Sequence, residues 1–357
     1  MENLPNEWLE QILSFLPIAD VFISMMVSRK WEAAARYVVR NRDMLVVSSP
    51  CYEWGTPPVA PMDTIAAKKD IDDVMRSLLQ MNSLKRLDFY CDRQSCNIVS
   101  LVLQNASSLR SLYFPADLPT KAGAVVRFPF LKQLFCHHIG KEQVAACSRL
   151  VGLKVTFQKS PDIIAVLNSS NIQNFSYRSD VLPTFEPEFK TVIQAIVRLE
   201  NLTVLHLVMW LKECRDLDPF VRLFQRLRKL QEVDFSLSDK DLFLDPVVRT
   251  LVRYNPSIRH ISLIGMKMTD DSLIALSQLS HLSYLKFCPE WERSVTTAGM
   301  LSFLRGGSRH VLPFCCLCSN VDLDIQLIND EIISMEREIG RTFDRTQDEP
   351  NCIHYSC

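Results

Sequence analysis

Glycine is scarce, at 9 residues in 357. That leaves little room for loops that wrap a phosphate, and no Gly-rich phosphate loop, His-Glu-x-x-His pair or Gly-x-Ser-x-Gly elbow occurs. Basic excess is missing too. Lys and Arg number 40 against 41 Asp and Glu, a formal net charge of -1. No overall positive field favours nucleic acid or an anionic membrane. No stretch reaches about 18 apolar residues, so no membrane span is expected. The first ten residues are acidic and amphipathic, without the basic start and apolar core of an export signal. The fourth residue from the end is His354, so Cys357 is not placed for prenylation.

Cysteine is plentiful, at 12 residues, but scattered. Reduced thiols serving as small buried apolar groups are expected, with a cytoplasmic or nuclear location. Cys315-Cys316-x-Cys318 comes nearest to a metal cluster. A tetrahedral site needs a second pair of ligands, for which Cys352 and His354 are the distant candidates. Core or strand cysteines are the expected reading, with no metal, no cofactor and no catalytic residue. At 47% hydrophobic, the chain can fill a large core and more than one folding unit.

The front is helical. Pro5 suits a first helical turn, and Glu7 suits the positive helix end. Trp8, Leu9, Ile12, Leu13, Phe15 and Leu16 follow at spacings of three and four, giving a wide apolar face. Pro17 ends the run. Asp20 opens a second short helix with Val21, Phe22, Met25 and Met26, and Ser28 caps a third turn anchored by Trp31. Three short helices cannot hide all these side chains among themselves. From the residues alone, a helical cap on the downstream domain and a partner-docking module stand level.

The set Leu4-Pro5-Asn6-Glu7, Ile12, Leu16-Pro17, Asp20-Val21 and Val27-Ser28-Arg29-Lys30-Trp31 resembles an F-box. Trp8 stands where a smaller aliphatic is usual, and Val21 where Leu is common. The resemblance implies docking to a Skp-type adaptor, and through it to a cullin and a RING protein. The residues it points to are Leu4, Pro5, Leu9, Ile12, Leu16, Val21, Val27 and Trp31, some of which will instead hold the helices together.

Residues 46–69 read as a Pro-rich connector, with Tyr52 and Trp54 packed on a neighbour. Helix signals resume at Asp70. Then one pattern recurs, apolar at positions 1, 4 and 6. Its copies begin at Leu84, Leu109, Leu131, Leu150, Ile172, Leu202, Leu230, Ile258 and Leu282, with Val311 a doubtful tenth. The start-to-start distances are 25, 22, 19, 22, 30, 28, 28, 24 and 29 residues. Most lie in or near the roughly 20–29-residue window of leucine-rich repeats. Positions 4 and 6 share one side of a strand, and one such strand cannot bury that side alone. Stacked copies can, in a continuous core.

Helical segments lie between the strands. The Thr269–Leu279 and Thr296–Leu304 segments resemble the animal F-box type of leucine-rich repeat. Position 9 departs from that pattern, since none of the nine copies has Asn or Cys there. The longer gaps around Pro183–Pro187 and Trp210–Pro219 are expected as rim loops, with a binding-face role and simple surface variation standing level. An ordinary α/β domain with leucine-rich strands is the rival for this region.

Ile325, Ile328, Ile332, Met335 and Ile339 form one apolar helical stripe, with Gly340 as a C-cap. A capping helix on the last repeat is expected there. The whole is therefore an α/β chain: a three-helix F-box-like module (1–45), the connector (46–69), a curved leucine-rich-repeat solenoid (70–320), the capping helix (321–341) and a loose tail (342–357). Its expected function is non-catalytic. It would be the substrate-recognition subunit of a Skp–cullin–F-box-type ubiquitin ligase, holding an unidentified protein target on the repeats. The alternative is a repeat scaffold whose front helices only cap the solenoid.

Overall fold

The computed structural model describes residues 4–48, 64–66, 78–90, 96–114, 120–121, 124–156, 164, 166–167, 171–184, 186–211, 216–237, 243–289, 295–306, 315–318, 324–339, 344–349 and 352–356. The chain divides into two compact units, Met1–Val155 and Thr156–Cys357.

The first unit opens with three helices, α1 Asn6–Ser14, α2 Ile18–Ser24 and α3 Arg29–Asn41. Pro5 and Pro17 occupy the N-cap positions of α1 and α2, and Ser28 caps α3 by accepting from the Trp31 amide at 3.4 Å. Both α1 and α2 pack on α3. Arg42 closes the bundle: its Nη2 donates to the Ser14 carbonyl at 3.1 Å and to the Leu16 carbonyl at 2.6 Å. The Ser14 carbonyl ends α1 and the Leu16 carbonyl lies just beyond it, where no further helical turn supplies a partner.

Strands follow: β1 Met44–Ser48, β2 Thr64–Ala66, β3 Arg86–Tyr90 and β4 Ser111–Phe114. A small antiparallel pair, β5 Thr120–Lys121 with β6 Ala124–Val125, comes next, then β7 Gln133–Cys136 and β8 Gly152–Thr156. The main sheet is parallel, in the order β8-β7-β4-β3-β1-β2. Its register aligns the repeats: Leu87 pairs with Leu112, Leu112 with Leu134, and Leu134 with Leu153. These residues are buried, as are the first-position Leu84, Leu109, Leu131 and Leu150.

The second unit repeats the scheme. Strands β9 Asn174–Thr184, β10 Val204–Leu211, β11 Glu232–Leu237, β12 His260–Met266 and β13 Tyr284–Pro289 form a parallel array in chain order. Helices Glu186–Ile196, Asp218–Arg226, Asp245–Tyr254, Asp270–Leu276, Thr297–Gly306 and Ile325–Ile339 pack side by side in the same succession. Phe220 links the layers, stacked on Phe189 at 5.5 Å and edge-on to Phe235 at 5.2 Å. Repeated copies of strand and helix, each burying its leucines against the next, make this the leucine-rich-repeat fold expected from the spacing.

Polar groups tie one repeat to the next. The Asn105 carboxamide accepts from the Leu84 amide at 2.9 Å and donates to the Met81 and Leu101 carbonyls, each at 2.9 Å. Asn255 does the same for Leu230 and Phe224. Asp245 Oδ1 accepts from the Thr269 amide, the Thr269 hydroxyl and the Ser272 hydroxyl at 2.9, 3.0 and 2.6 Å. One helix later Asp270 accepts from the Thr296 amide and hydroxyl at 2.8 and 2.6 Å. Gly299 is required beside it, since a Cβ there would come within 2.0 Å of Asp270 Oδ1.

Several expectations need revision. Val46–Ser48, assigned to the connector, belong to β1, which pairs with β3 in the repeat register. Leu45 and Val47 fill positions 4 and 6 of a copy whose position 1 is Arg42, which breaks the apolar pattern. Glu186 and Asp218 start helices where rim loops were expected, each followed by a proline. Cys316 of the doubtful tenth copy lies in β14 Cys315–Cys318, which pairs antiparallel with β16 Cys352–Ser356. The tail contributes β16 and β15 Asp344–Glu349, where no regular structure was expected. The capping helix is present at Ile325–Ile339, with Ile328 and Ile332 buried. Tyr52, Trp54, Asp70 and Gly340 lie outside the described residues.

Candidate functional site

The α1 helix is apolar on two sides. Leu9 and Leu13, four residues apart, are fully buried in the bundle. Trp8, Ile12 and Phe15 lie on a different face, because spacings of four and three keep them together and turn them away from Leu9. Their exposures are 60%, 41% and 68%. Around α2 the same division holds. Ile18 and Val21 are buried, whereas Ile23 and the following Met26 and Val27 are 63%, 87% and 64% exposed. Solvated side chains of this size in so short a stretch form an apolar surface of the kind that marks interaction sites.

The structure separates the eight expected docking residues. Ile12 and Val27 are exposed, as is Pro5, while Leu4, Leu16 and Trp31 are half-buried. Leu9 and Val21 are sealed inside. The expected docking set leaves out Phe15, Ile23 and Met26, although each is more exposed than Ile12. Helical phase relative to Leu9 and Leu13 is the signal that would have found Phe15. The Lys30 ammonium donates to the Leu4 carbonyl, which holds the entry to α1 against α3.

A second candidate surface is the strand face away from the helices. In the first unit it carries an aromatic row. Tyr90 stacks on Tyr113 at 4.2 Å, Tyr113 on Phe135 at 4.0 Å, and Lys154 Nζ lies 5.1 Å from the Phe135 ring centre. At its edge Arg86 Nη2 donates to Asp88 at 2.6 Å, and this bond raises the Arg86 pKa. In the second unit the same face is polar. His206 Nε2 lies 2.8 Å from Glu232 Oε1, and His260 Nδ1 lies 3.8 Å from Glu232 Oε2. Asp234 stands opposite His206 in the register, and its buried Oδ1 has no hydrogen-bond partner among the described residues.

Among the described residues, neither surface has the convergent groups of a catalytic centre. Among the described side chains, no group of three or more His, Cys, Asp or Glu is placed to hold a metal ion. The buried Cys147 thiol is pushed up to about 12 by desolvation, which removes it as a nucleophile. Among the described residues no helix is long and apolar enough to cross a membrane.

The F-box domain family matches residues 1–43, the span of the three front helices. Among solved structures, a chain from the Rad7 and Elc1 complex in yeast is similar to this one, with a TM-score of 0.53 at 14% identity. The match covers 92% of this chain and 79% of that chain, and what it shows is a shared fold. The leucine-rich repeat-containing protein LegL7 from Legionella pneumophila is 10% identical over 78% of this chain and 88% of its own. Its TM-score of 0.38 carries no statement about fold. No curated protein matches the sequence.

Proposed function

Starting from a chain that carries an F-box domain ahead of a leucine-rich-repeat fold, we propose that it is a non-catalytic substrate-recognition subunit of a Skp–cullin–F-box-type ubiquitin ligase. An adaptor or scaffold role is the broad function that this combination carries. The finer reading is that α1 and α2 dock an adaptor subunit of a cullin ligase, of the Skp type. The strand faces of the repeats then hold a target protein. Nothing on this chain makes or breaks a bond. Holding the target beside the ubiquitin-carrying enzyme raises its effective concentration there.

The observation that carries this reading is the exposed apolar set Trp8, Ile12, Phe15, Ile23, Met26 and Val27. If these helices served only as a cap, those side chains would remain in water at a cost of roughly 25 cal/mol per Å² of uncovered apolar area. Adaptor docking gives them a cover. The neighbour in the yeast Rad7 and Elc1 complex is a chain of similar fold seen together with a second protein, which accords with a docking role.

The test is co-purification with a Skp-type adaptor. Ile12→Asp and Val27→Asp each place a charge on the exposed face and are expected to abolish adaptor capture while the circular dichroism spectrum stays unchanged. Leu9→Asp is a poor probe, since Leu9 is fully buried and the variant would unfold the bundle. Full adaptor capture by the folded Ile12→Asp variant would overturn the docking face.

A further inference from the structure

In the first unit the residues that lead into neighbouring strands are bonded to one another along one rim. The Lys85 amide donates to the Asp43 carbonyl at 2.7 Å, the Arg110 amide to the Lys85 carbonyl at 2.7 Å, and the Lys132 amide to the Arg110 carbonyl at 2.8 Å. Lys85, Arg110 and Lys132 therefore stand side by side at the strand spacing of about 4.8 Å. Arg149 comes next along the rim, since the Val151 amide, two residues on, donates to the Lys132 carbonyl at 2.9 Å. Its guanidinium carbon lies over the Phe130 ring, 5.0 Å from the centre. All four cations are exposed. One carboxylate meets the row, with Asp43 Oδ2 at 3.1 Å from Lys85 Nζ. Arg110, Lys132 and Arg149 have no carboxylate partner among the described residues.

We propose that Lys85, Arg110, Lys132 and Arg149 dock an acidic segment of the target protein, rich in Asp and Glu. In calling the partner a target, this rests on the function proposed above, and it adds the chemistry by which the target is held. Charge complementarity supports it. Like charges on neighbouring strands destabilise a sheet, and solubility asks only for mixed signs. The row keeps this repulsion in a chain with 41 Asp and Glu and a formal net charge of -1. An anionic segment laid across the strand entries replaces the repulsion with attraction.

The make-up of the row favours a many-charged peptide over one phosphate group or a nucleic acid. Lys85 and Lys132 are compact point charges, without the planar fork that grips a single phosphate from two sides. Such charges suit carboxylates spread along a chain. Side chains on one face of an extended segment recur about every 6.6–6.8 Å, so two or three of them match the roughly 10 Å from Lys85 to Lys132. Single-stranded nucleic acid asks for open aromatic faces and a broad basic groove. The ring exposed beside this row, Phe130, already has Arg149 over it, and the chain as a whole carries no basic excess.

The experiment is fluorescence anisotropy of a fluorescein-labelled Glu-Ser repeat peptide, titrated with the full-length chain at low and at physiological salt. The wild-type chain is expected to bind it, more weakly as salt rises. Arg110→Glu combined with Lys132→Glu is expected to weaken binding about tenfold or more. Arg110→Gln combined with Lys132→Gln weakens it less, and carries the test if the charge reversal disturbs folding, which circular dichroism reads. Asp43→Asn removes the carboxylate that occupies Lys85 and is expected to tighten binding. Arg222→Glu, at an exposed position of the second unit, is expected to leave it unchanged. The rim variants should still capture a Skp-type adaptor, whereas Ile12→Asp should lose the adaptor and keep the peptide, so the two readings fail separately. The proposal is overturned if the wild-type chain does not bind the peptide, if the folded double variants bind it as tightly as wild type, if Arg222→Glu loses as much as they do, or if single-stranded oligothymidylate of equal charge binds more tightly than the peptide.

Discussion

At the scale of single residues, the polar side chains that matter most are few and buried. Asn105 is fully buried and serves three backbone groups from two repeats. Each of those groups would otherwise be a buried polar atom without a partner. Asn105→Ala is expected to lower the unfolding free energy by about 2–4 kcal/mol, read from urea denaturation. A change below about 0.5 kcal/mol, the range of an ordinary surface substitution, would mean that relaxation or water replaces the carboxamide. These asparagines were not legible in the sequence. The repeat pattern places a backbone-satisfying Asn after the strand, at position 9, whereas Asn105 and Asn255 follow a helix and precede the next repeat. The nine copies of the strand pattern were legible down to the residue, since positions 4 and 6 need no information beyond the period of a strand.

At the scale of elements, the last helix shows how the repeat stack is finished. Ile328 and Ile332 are buried, and the helix packs on Thr297–Gly306. Arg305 reaches across to Glu331 with bonds of 3.0 and 2.7 Å. The bond from Arg305 holds the Glu331 carboxyl below its ordinary pKa, against a smaller opposing effect of burial. A carboxylate whose folded pKa is depressed stabilises the fold above its unfolded pKa, and that contribution is lost as pH falls through the folded value. Stability of the second unit is therefore expected to decline as pH drops below about 4.3, the ordinary Glu value. In Glu331→Gln that part of the decline should vanish, measured as the pH dependence of urea midpoints. An identical pH profile in the variant would remove the pair from the account. The helix was readable from its 3-4-3-4 stripe of four isoleucines and Met335. Its anchor on Arg305 was not, because ion pairing across 26 positions has no local signature.

At the scale of the whole molecule, one surface stands out. Fully buried Leu9 and Leu13 and the exposed Trp8, Ile12 and Phe15 occupy the same two and a half turns of helix. Without a cover, an apolar face of this kind promotes self-association. The isolated chain is expected to show concentration-dependent association by sedimentation velocity. Co-expression with a Skp-type adaptor, or the double variant Ile12→Asp with Phe15→Asp, should suppress it. A strictly monomeric wild-type chain across the accessible concentration range would argue that the face is not sticky enough to demand a partner.

What could be read from the order of residues was whatever has a short period. The three front helices, the repeated strands and the capping helix each declare themselves within one or two turns of chain, because backbone geometry alone sets those periods. Folding in three dimensions settled which apolar residues end up inside. Leu9 and Ile12 are equally hydrophobic neighbours on one helix, and α3 covers the first and leaves the second in water. It also placed β1 beside β3 although Arg42 breaks the apolar pattern, and set Cys316 opposite His354 from 38 positions away. Burial and pairing depend on which distant segment arrives, and a local pattern carries no record of that arrival.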